Sequence, residues 1–182
     1  MLVMCRLNSL GHDADFRLGY PVMRILTTFF ISVGMIAVVN AANRPNFVWI
    51  ISEDNSIHYL DHFFAGGADT PHIKSLAAHG ITYDHAFSNS PVCSVARSTL
   101  ITGCYAPRIG TQYHRRSAMA PMPEGVRMFP AYLRAQQGYY TTNRSKTDYN
   151  AKPGKGVWDE SSNKAHWRKR KPGQPFFHKA SY

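Results

Sequence analysis

Cys93 and Arg97 stand together at the start of a predicted helix, in the stretch NSPVCSVARSTLITG (residues 89–103). The unpaired N–H groups and the dipole of a helix N-terminus stabilise negative charge, so this position favours a thiolate or a bound anion. Arg97 lies one turn further along the same helical face and can reach back with charged donors. The pair indicates an anion site with a nucleophile, and the alternative is that Cys93 is a small buried apolar residue.

Two adjacent carboxylates, Glu53 and Asp54, follow the uninterrupted apolar run NFVWIIS (46–52). The carboxyl end of a buried strand is where open α/β sheets bind their ligands. Adjacent acids repel each other, so placing both there requires a cation, and hard oxygen ligands favour Ca²⁺ or Mg²⁺. A solvated acidic turn explains the same two residues equally well.

The surrounding pattern predicts elements that position these groups. An apolar run without alternation is typical of a strand buried on both faces, so residues 46–52 are predicted to form the first strand. A helix is predicted to begin at Pro71 and to stop at Gly80. Residues 81–87, ITYDHAF, are predicted to form the next strand.

The order of the later elements predicts an α/β sheet. A helix over residues 94–102, ended by Gly103, is followed by a helix over 130–138 and a strand over 139–145. Strands alternating with helices in this way are characteristic of α/β folds. Residues 150–175, rich in Lys, Arg, Gly and Pro, are predicted to form a long surface loop.

Residues 23–42, MRILTTFFISVGMIAVVNAA, have the pattern of a secretory signal peptide. Arg24 precedes an apolar segment, and small residues follow it. The segment is shorter than the about 20 residues of a membrane span, and an uncleaved anchor helix is the alternative. We interpret residues 1–22 as an upstream misreading of the start codon. A secreted or periplasmic protein without a stable membrane span after cleavage is therefore expected.

Charge and cysteine content limit the partners and the chemistry. Lys plus Arg number 21 and Asp plus Glu 11, a net charge of +10, which favours anionic partners. No nucleic-acid-binding motif is present, so nucleic acid is not a predicted partner. A helix would hold Cys93 and Cys104 about 16 Å apart, whereas a disulfide needs Cα atoms within about 7 Å. Cys93 is therefore predicted to be a free thiol.

The stretch SPVCSVARSTLITG resembles the signature of type I sulfatases, in which Cys-x-Pro-x-Arg is followed by an apolar helix ending in Thr-Gly. RPNFVWIISEDN resembles the family's first strand with its paired acids, TPHIKSLAAHGITYDHAFSNSPVC its run into the signature, and GYYTTNRSKTDY the strand ending at its active-site lysine. The resemblance implies that residues 43–182 form the N-terminal part of a sulfatase domain. Its alkaline-phosphatase-like fold is a mixed, mostly parallel sheet flanked by helices, here incomplete.

The resemblance also implies roles for five residues. Cys93 would be converted to formylglycine by a formylglycine-generating enzyme or an equivalent maturase, and its hydrated aldehyde would attack sulfur and later expel sulfate. Arg97 would hold this group, and Lys146 would contact the sulfate. Glu53 and Asp54, together with the modified Cys93, would bind Ca²⁺, with Mg²⁺ the lesser candidate. The implied function is hydrolysis of sulfate esters of a small molecule or a polysaccharide.

The chain departs from the family pattern at several points. Val95 stands where the signature has Pro or Ala, Glu53 where Asp is commoner, and Asp148 where a histidine follows the lysine. The family's later Asp-Asn calcium ligands have no counterpart, and HKASY is not predicted to continue the strand that GQPFF begins. We therefore expect an N-terminal fragment that is insoluble or inactive when expressed alone.

Several alternatives remain open from the sequence. An N-sulfoglucosamine (heparan-type) sulfamidase is a close relative of the same family, and an inactive fragment that only binds anions is a non-catalytic alternative. Phosphoryl transfer is disfavoured, because alkaline-phosphatase-like enzymes use Ser or Thr with zinc-type ligands. His114, in GTQYHRR, is predicted to be solvent-exposed. The basic segment Lys164–Lys171 is predicted to be a solvated face rather than a polysaccharide grip.

Overall fold

The computed structural model describes Val3–Met4 and residues 44–182. The predicted signal peptide (23–42) lies outside the described residues. Of the predicted upstream extension (1–22), only Val3–Met4 are described. Within the described part of the chain, no helix combines the length and the apolar character needed to cross a membrane.

A five-stranded sheet forms the centre of the molecule, with four of its strands parallel. The strand order is β1-β2-β5-β3-β4; β1 is antiparallel to β2, and the remaining neighbours are parallel. This confirms the predicted α/β class and the mostly parallel sheet. The strands are β1 Val3–Met4, β2 Phe47–Ile51, β3 Tyr140–Arg144, β4 Glu160–Ser162 and β5 Phe176–Ser181.

Three α-helices and three short 3₁₀ turns connect the described strands. The glycine stop signals of the second and third helices are confirmed, because Gly103 and Gly138 adopt left-handed conformations with φ of 68° and 66°. The first helix ends at Ala78 with His79 as its C-cap, so Gly80 lies directly after the cap, where its stop was predicted. The helices are α1 Pro71–Ala78, α2 Cys93–Thr102 and α3 Pro130–Gln137, and the 3₁₀ turns are Ile57–Tyr59, Ala106–Ile109 and Trp167–Lys169.

The central strand β5 corrects one prediction, since HKAS does continue the strand begun by PFF. All six residues of Phe176–Ser181 are buried between β2 and β3. The polar side chains fit because they have partners there: His178 Nδ1 lies 2.7 Å from Thr142 Oγ1, and Lys179 Nζ donates to the carbonyl of Lys146. Polar residues in a buried strand are acceptable when each is hydrogen-bonded.

An aromatic cluster holds the helices onto the sheet. The ring of Phe177 lies 5.7 Å from Trp49, 5.0 Å from Phe129 and 6.0 Å from Trp158, measured between ring centroids. Beside it, Ile101 of α2 belongs to a buried cluster that continues into α3. The cluster fixes α2, and therefore Cys93 at its first position, relative to β2 and β5.

Three further predictions about the fold are wrong in part. β2 is not buried on both faces: Ile50 is 49% exposed, because no other element covers this side chain fully. Residues 81–87 form an irregular exposed segment, since no described strand pairs with them and β-propensity depends on such pairing. The segment 150–175 is not simply a surface loop: it contains β4, parallel to β3, and buries Val157 and Ala165.

We predict that Phe177→Ala strongly destabilises the fold. Phe177 is 3% exposed and contacts three other rings, and truncation of such a phenylalanine costs about 3–5 kcal/mol. Phe87→Ala is the matched control, because Phe87 is 88% exposed and its truncation is expected to change stability by less than about 0.5 kcal/mol. Urea unfolding followed by tryptophan fluorescence measures both. Equal midpoints for the two variants would contradict the assigned core.

Candidate active site

Three segments that are distant in the chain meet at the carboxyl edge of the parallel strands. Glu53 follows β2, Lys146 follows β3, and Arg97 extends from α2. Because β2 and β3 run in the same direction, their carboxyl ends lie at the same edge of the sheet. The structure therefore brings together three of the five predicted site residues in direct contact.

Glu53 is the anion that joins the two cations. Its Oε1 accepts a hydrogen bond from Arg97 Nη2, and its Oε2 accepts one from Lys146 Nζ at 2.5 Å. The backbone N–H of Glu53 donates to the carbonyl of Tyr182 at 2.8 Å, which fixes the turn after β2. Burial alone would raise the pKa of Glu53, but the hydrogen bonds and charges of Lys146 and Arg97 outweigh it and lower that pKa.

The ion pairs continue beyond Glu53 into a row of alternating charges. Lys146 Nζ lies 3.6 Å from Asp148 Oδ2, and the Asp148 carboxylate accepts hydrogen bonds from Arg115 Nε at 3.2 Å and Nη2 at 3.1 Å. We call Arg97–Glu53–Lys146–Asp148–Arg115 the charge chain. The Arg115 hydrogen bonds are the main cause of the lowered pKa of Asp148.

Cys93 lies beside the charge chain as the first residue of α2. Its preceding N-cap residue, Val92, makes no side-chain cap, so the helix N-terminus keeps unpaired N–H groups. Cys93 is a free, half-buried thiol. The hydrogen bond to Glu53 is the main cause of the raised pKa of Lys146, and burial opposes it. The charge of Glu53 and the hydrogen bonding and electrostatic interaction with Cys93 raise the pKa further. Cys93 is therefore a neighbour of the lysine ammonium.

Asp54, the remaining predicted site residue, is exposed at the same edge. The hydrogen bonds and charge of Asp148 raise the pKa of Arg115, and the charge of Asp54 adds to this effect. Asp54 therefore lies near the charge chain and contributes through charge rather than through a direct ion pair.

Two buried serines of α2 fasten the neighbouring loops to the helix. Ser94 Oγ accepts a hydrogen bond from the backbone N–H of Arg115 at 3.2 Å and lies 2.9 Å from His114 Nδ1. Ser98 Oγ accepts one from the backbone N–H of Asn150 at 2.9 Å. His114 is exposed, as predicted, but it is held by this contact with Ser94.

Unfavourable backbone conformations cluster around the charge chain. Among the described residues, the non-glycine residues with positive φ are Asp54 at 46°, Arg115 at 44°, Ser145 at 69° and Asp148 at 49°. Each belongs to the charge chain or lies next to one of its members. Such residues persist only where surrounding contacts enforce them, and they concentrate at functional sites.

Lys179 is a site residue that the sequence interpretation missed. Its side chain is among the fully buried ones, and its Nζ donates to the carbonyl of Lys146, which also accepts from Arg97 Nη1 at 3.4 Å. Burial, together with the charge of Arg97, lowers the pKa of Lys179 to about 7. The available signal was its position at the carboxyl end of a central parallel strand.

The carboxylates of Glu53 and Asp54 are suitable ligands for a hard divalent cation, but they are too few to complete its coordination shell. Glu53 and Asp54 offer carboxylate oxygens, the ligands that Ca²⁺ prefers, yet two carboxylates supply at most about four of its six to eight ligands. Within Val3–Met4 and residues 44–182, no group of three His, Cys, Asp or Glu side chains is arranged to hold a metal. Both oxygens of Glu53 already accept from cations.

Comparisons with known proteins agree with the geometry. The sulfatase family matches the chain over residues 45–179. The Ulvan-active sulfatase of Formosa agariphila is 40% identical over 144 residues, covering 74% of this chain and 24% of that protein. The N-acetylgalactosamine-6-sulfatase of Rattus norvegicus is 27% identical over 125 residues, covering 64% and 24%.

A third relative, the steryl-sulfatase of Mus musculus, is 33% identical over 76 residues, which cover 42% of this chain and 12% of that protein. The chain thus spans 24% or less of the length of these relatives. No solved structure matches the chain significantly.

We predict that Lys179 makes stability rise with pH. The folded protein loses this proton near pH 7, whereas an unfolded lysine keeps it until about pH 10.4. Between these values the unfolded state binds more protons, so stability increases with pH, by at most about 1.4 kcal/mol per pH unit for one proton. Lys179→Met removes this dependence and is expected to be the more stable protein below neutral pH.

Urea unfolding of the wild type, Lys179→Met and Lys152→Met, at pH values from about 6 to 9, measures the effect. Lys152 is exposed and serves as the matched control, whose stability curve is expected to stay parallel to that of the wild type. A Lys179→Met curve parallel to both would show that Lys179 does not change its protonation on folding.

Proposed function

The chain belongs to the sulfatase family, and we propose that it forms the nucleophile-bearing and anion-binding part of an enzyme that hydrolyses sulfate esters. One observation carries the proposal: Arg97 and Lys146 converge on the carboxylate of Glu53, with Cys93 beside the lysine at a helix N-terminus. A sulfated small molecule or polysaccharide is the proposed substrate.

The proposed chemistry requires strong positive potential, because the oxygens of a sulfate ester shield sulfur from a nucleophile. Fixed cations and helix N–H groups stabilise the charge that develops on those oxygens during attack. Arg97 is suited to a fixed role, since its side chain is 6% exposed and it donates to Glu53, Ser181 Oγ and the Lys146 carbonyl. It therefore sets the position of the site.

Lys146 is suited to contact the substrate directly. An ammonium group has three N–H donors. One binds Glu53, a second points to the Asp148 carboxylate 3.6 Å away, and the third faces Cys93, next to which a sulfate oxygen would lie during attack. The side chain is 27% exposed, which leaves the ammonium accessible while Glu53 holds its direction.

We propose that Cys93 is the precursor of the nucleophile, as formylglycine, made by a maturase that supplies the oxidant. The side-chain CH₂–SH becomes CHO, and when hydrated this group supplies the hydroxyl that attacks sulfur and the second hydroxyl that releases sulfate. The half-buried position at the start of α2 keeps this group next to Lys146.

We further propose that Glu53 and Asp54 hold a divalent cation, preferably Ca²⁺, which would bind the lone pairs of Glu53 that Arg97 and Lys146 do not use, with water or substrate oxygens completing its ligands. A bound cation would polarise sulfate oxygens. The signal-peptide pattern of residues 23–42 supports a secreted or periplasmic location.

Conversion of Cys93 can be measured by mass. In a host that supplies a maturase, the tryptic peptide 75–97 is expected to lose mass, because sulfur and two hydrogens are replaced by one oxygen, and to react with hydrazides. Val95→Ala is expected to raise the converted fraction, since it restores a residue typical of the signature without removing a backbone donor. Cys93→Ala is the unreactive control. An unchanged thiol in both the wild type and Val95→Ala would contradict this role of Cys93.

Sulfate binding tests the anion site without requiring turnover. We predict that inorganic sulfate binds the full chain and raises its unfolding temperature. Lys146→Ala is expected to weaken sulfate about tenfold or more, because it removes a charged hydrogen bond of about 1.5–3 kcal/mol. Lys164→Ala, an exposed lysine of the basic segment, is the control and should bind as the wild type does. Equal sulfate affinity in all three proteins would contradict the proposed site.

A further inference from the structure

We propose that Arg115 binds a second oxyanion of the substrate, next to the sulfate that is attacked. The substrate class is an organic sulfate that carries another carboxylate or sulfate group, as acidic saccharides do. This inference rests on the proposed function and adds a specificity-determining residue to it.

The backbone places Arg115 beside the nucleophile position. Its N–H donates to Ser94 Oγ at 3.2 Å, and Ser94 is fully buried directly after Cys93. Arg115 holds a left-handed conformation, with φ of 44°, that an ordinary loop would avoid. The root of the side chain is therefore fixed one residue from Cys93 rather than being free to move with the loop.

Exposure separates Arg115 from the other arginine of the charge chain. The Arg97 side chain is 6% exposed and its hydrogen bonds all go to protein acceptors, whereas the Arg115 side chain is 59% exposed. Arg97 therefore belongs to the framework of the site, while Arg115 faces the solution from which a substrate arrives.

The guanidinium of Arg115 has donors remaining for a second anion. Nε and Nη2 bind the Asp148 carboxylate, and no partner among the described residues contacts Nη1. A guanidinium presents its five N–H groups as forks, so the edge formed by Nη1 and Nη2 can bind another carboxylate or sulfate while the Asp148 pair stays intact. Asp148 then orients the free edge.

Hydrogen bonds and ion pairs connect this edge to the nucleophile position and to Lys146. The backbone N–H of Arg115 is bonded to Ser94, the residue after Cys93, so the side chain of Arg115 starts next to the nucleophile position and not on a separate surface. Asp148 is also 3.6 Å from Lys146. A substrate whose sulfate lies at Lys146 can therefore extend a second anion to Arg115. The competing explanation is that Arg115 only neutralises Asp148.

Calorimetric titration of the full chain distinguishes these explanations. The probes are a disaccharide with one sulfate ester and one uronate carboxylate, its carboxyl-reduced analogue, a disulfated disaccharide without carboxylate, and inorganic sulfate. Arg115→Gln is expected to weaken the uronate disaccharide or the disulfated one about tenfold, while changing the reduced analogue and inorganic sulfate less than about twofold. Which of the two is weakened identifies the second anion.

Two further variants serve as controls. Arg115→Lys keeps the charge without the fork and is expected to recover part of the lost affinity. Arg116→Gln changes the neighbouring exposed arginine, which donates to the Gly110 carbonyl, and should leave every affinity unchanged. Circular dichroism verifies that each variant is folded as the wild type is.

Two results overturn the inference in different ways. If Arg115→Gln weakens all probes equally, or none, while the wild type still binds inorganic sulfate, Arg115 is only a partner of Asp148 and the proposed function stands. If the folded wild type does not bind inorganic sulfate, the proposed function fails, and the inference fails with it.

Discussion

The carboxylate of Glu53 is the constraint on which the site depends. It joins two cations that are 44 and 93 positions away in the chain, one on α2 and one after β3. Without it, Arg97 and Lys146 would face each other and the buried Lys179 with little compensating charge. Removing one partner of a buried ion pair leaves charge without compensation, which costs far more than the pair contributes. Glu53 therefore fixes the positions of Arg97 and Lys146, and the carboxyl edge of the sheet fixes the position of Glu53.

The same constraint explains the strained backbone. Left-handed non-glycine residues cost roughly 1–3 kcal/mol each, and four of them border the charge chain among the described residues. The conformations of Asp54 and Asp148 place their carboxylates at the charge chain, and the turn at Ser145 directs Lys146 towards Glu53. Hydrogen bonds to buried groups hold these conformations, such as the one that the backbone N–H of Arg115 donates to Ser94 Oγ. The strain thus has a visible compensation in the polar contacts of the site.

Local sequence signals predicted the fold where the chain itself supplies the cause. Gly103 and Gly138 end helices because only glycine adopts the left-handed cap at little cost. Such helix ends can be predicted from the position of the glycine alone. Residues 81–87 have the composition of a strand but no partner strand, and pairing is a property of the whole sheet. The continuation of β5 through Lys179 was not predicted, and it depends on a hydrogen-bond acceptor, the Lys146 carbonyl, that is 33 positions away in the chain.

The site shows the same division between local and distant causes. Cys93 and Arg97 share a motif and a helix, so their proximity follows from spacing alone, whereas Asp148 acquires its two hydrogen bonds from Arg115 only when the loop carrying Arg115 folds against Ser94. The full charge balance also emerges only in three dimensions. Below neutral pH, where Lys179 is protonated, four cations face three carboxylates, an excess of 4 − 3 = 1, and this excess disappears as Lys179 loses its proton near pH 7: Arg97, Arg115, Lys146 and Lys179 against Glu53, Asp54 and Asp148. A sulfate monoester carries one negative charge, so it would balance this excess below neutral pH, whereas above neutral pH, or with a second anion on the substrate, further positive charge is needed. A divalent cation at Glu53 and Asp54 would supply that charge, which links the choice of substrate to the occupation of the carboxylate pair.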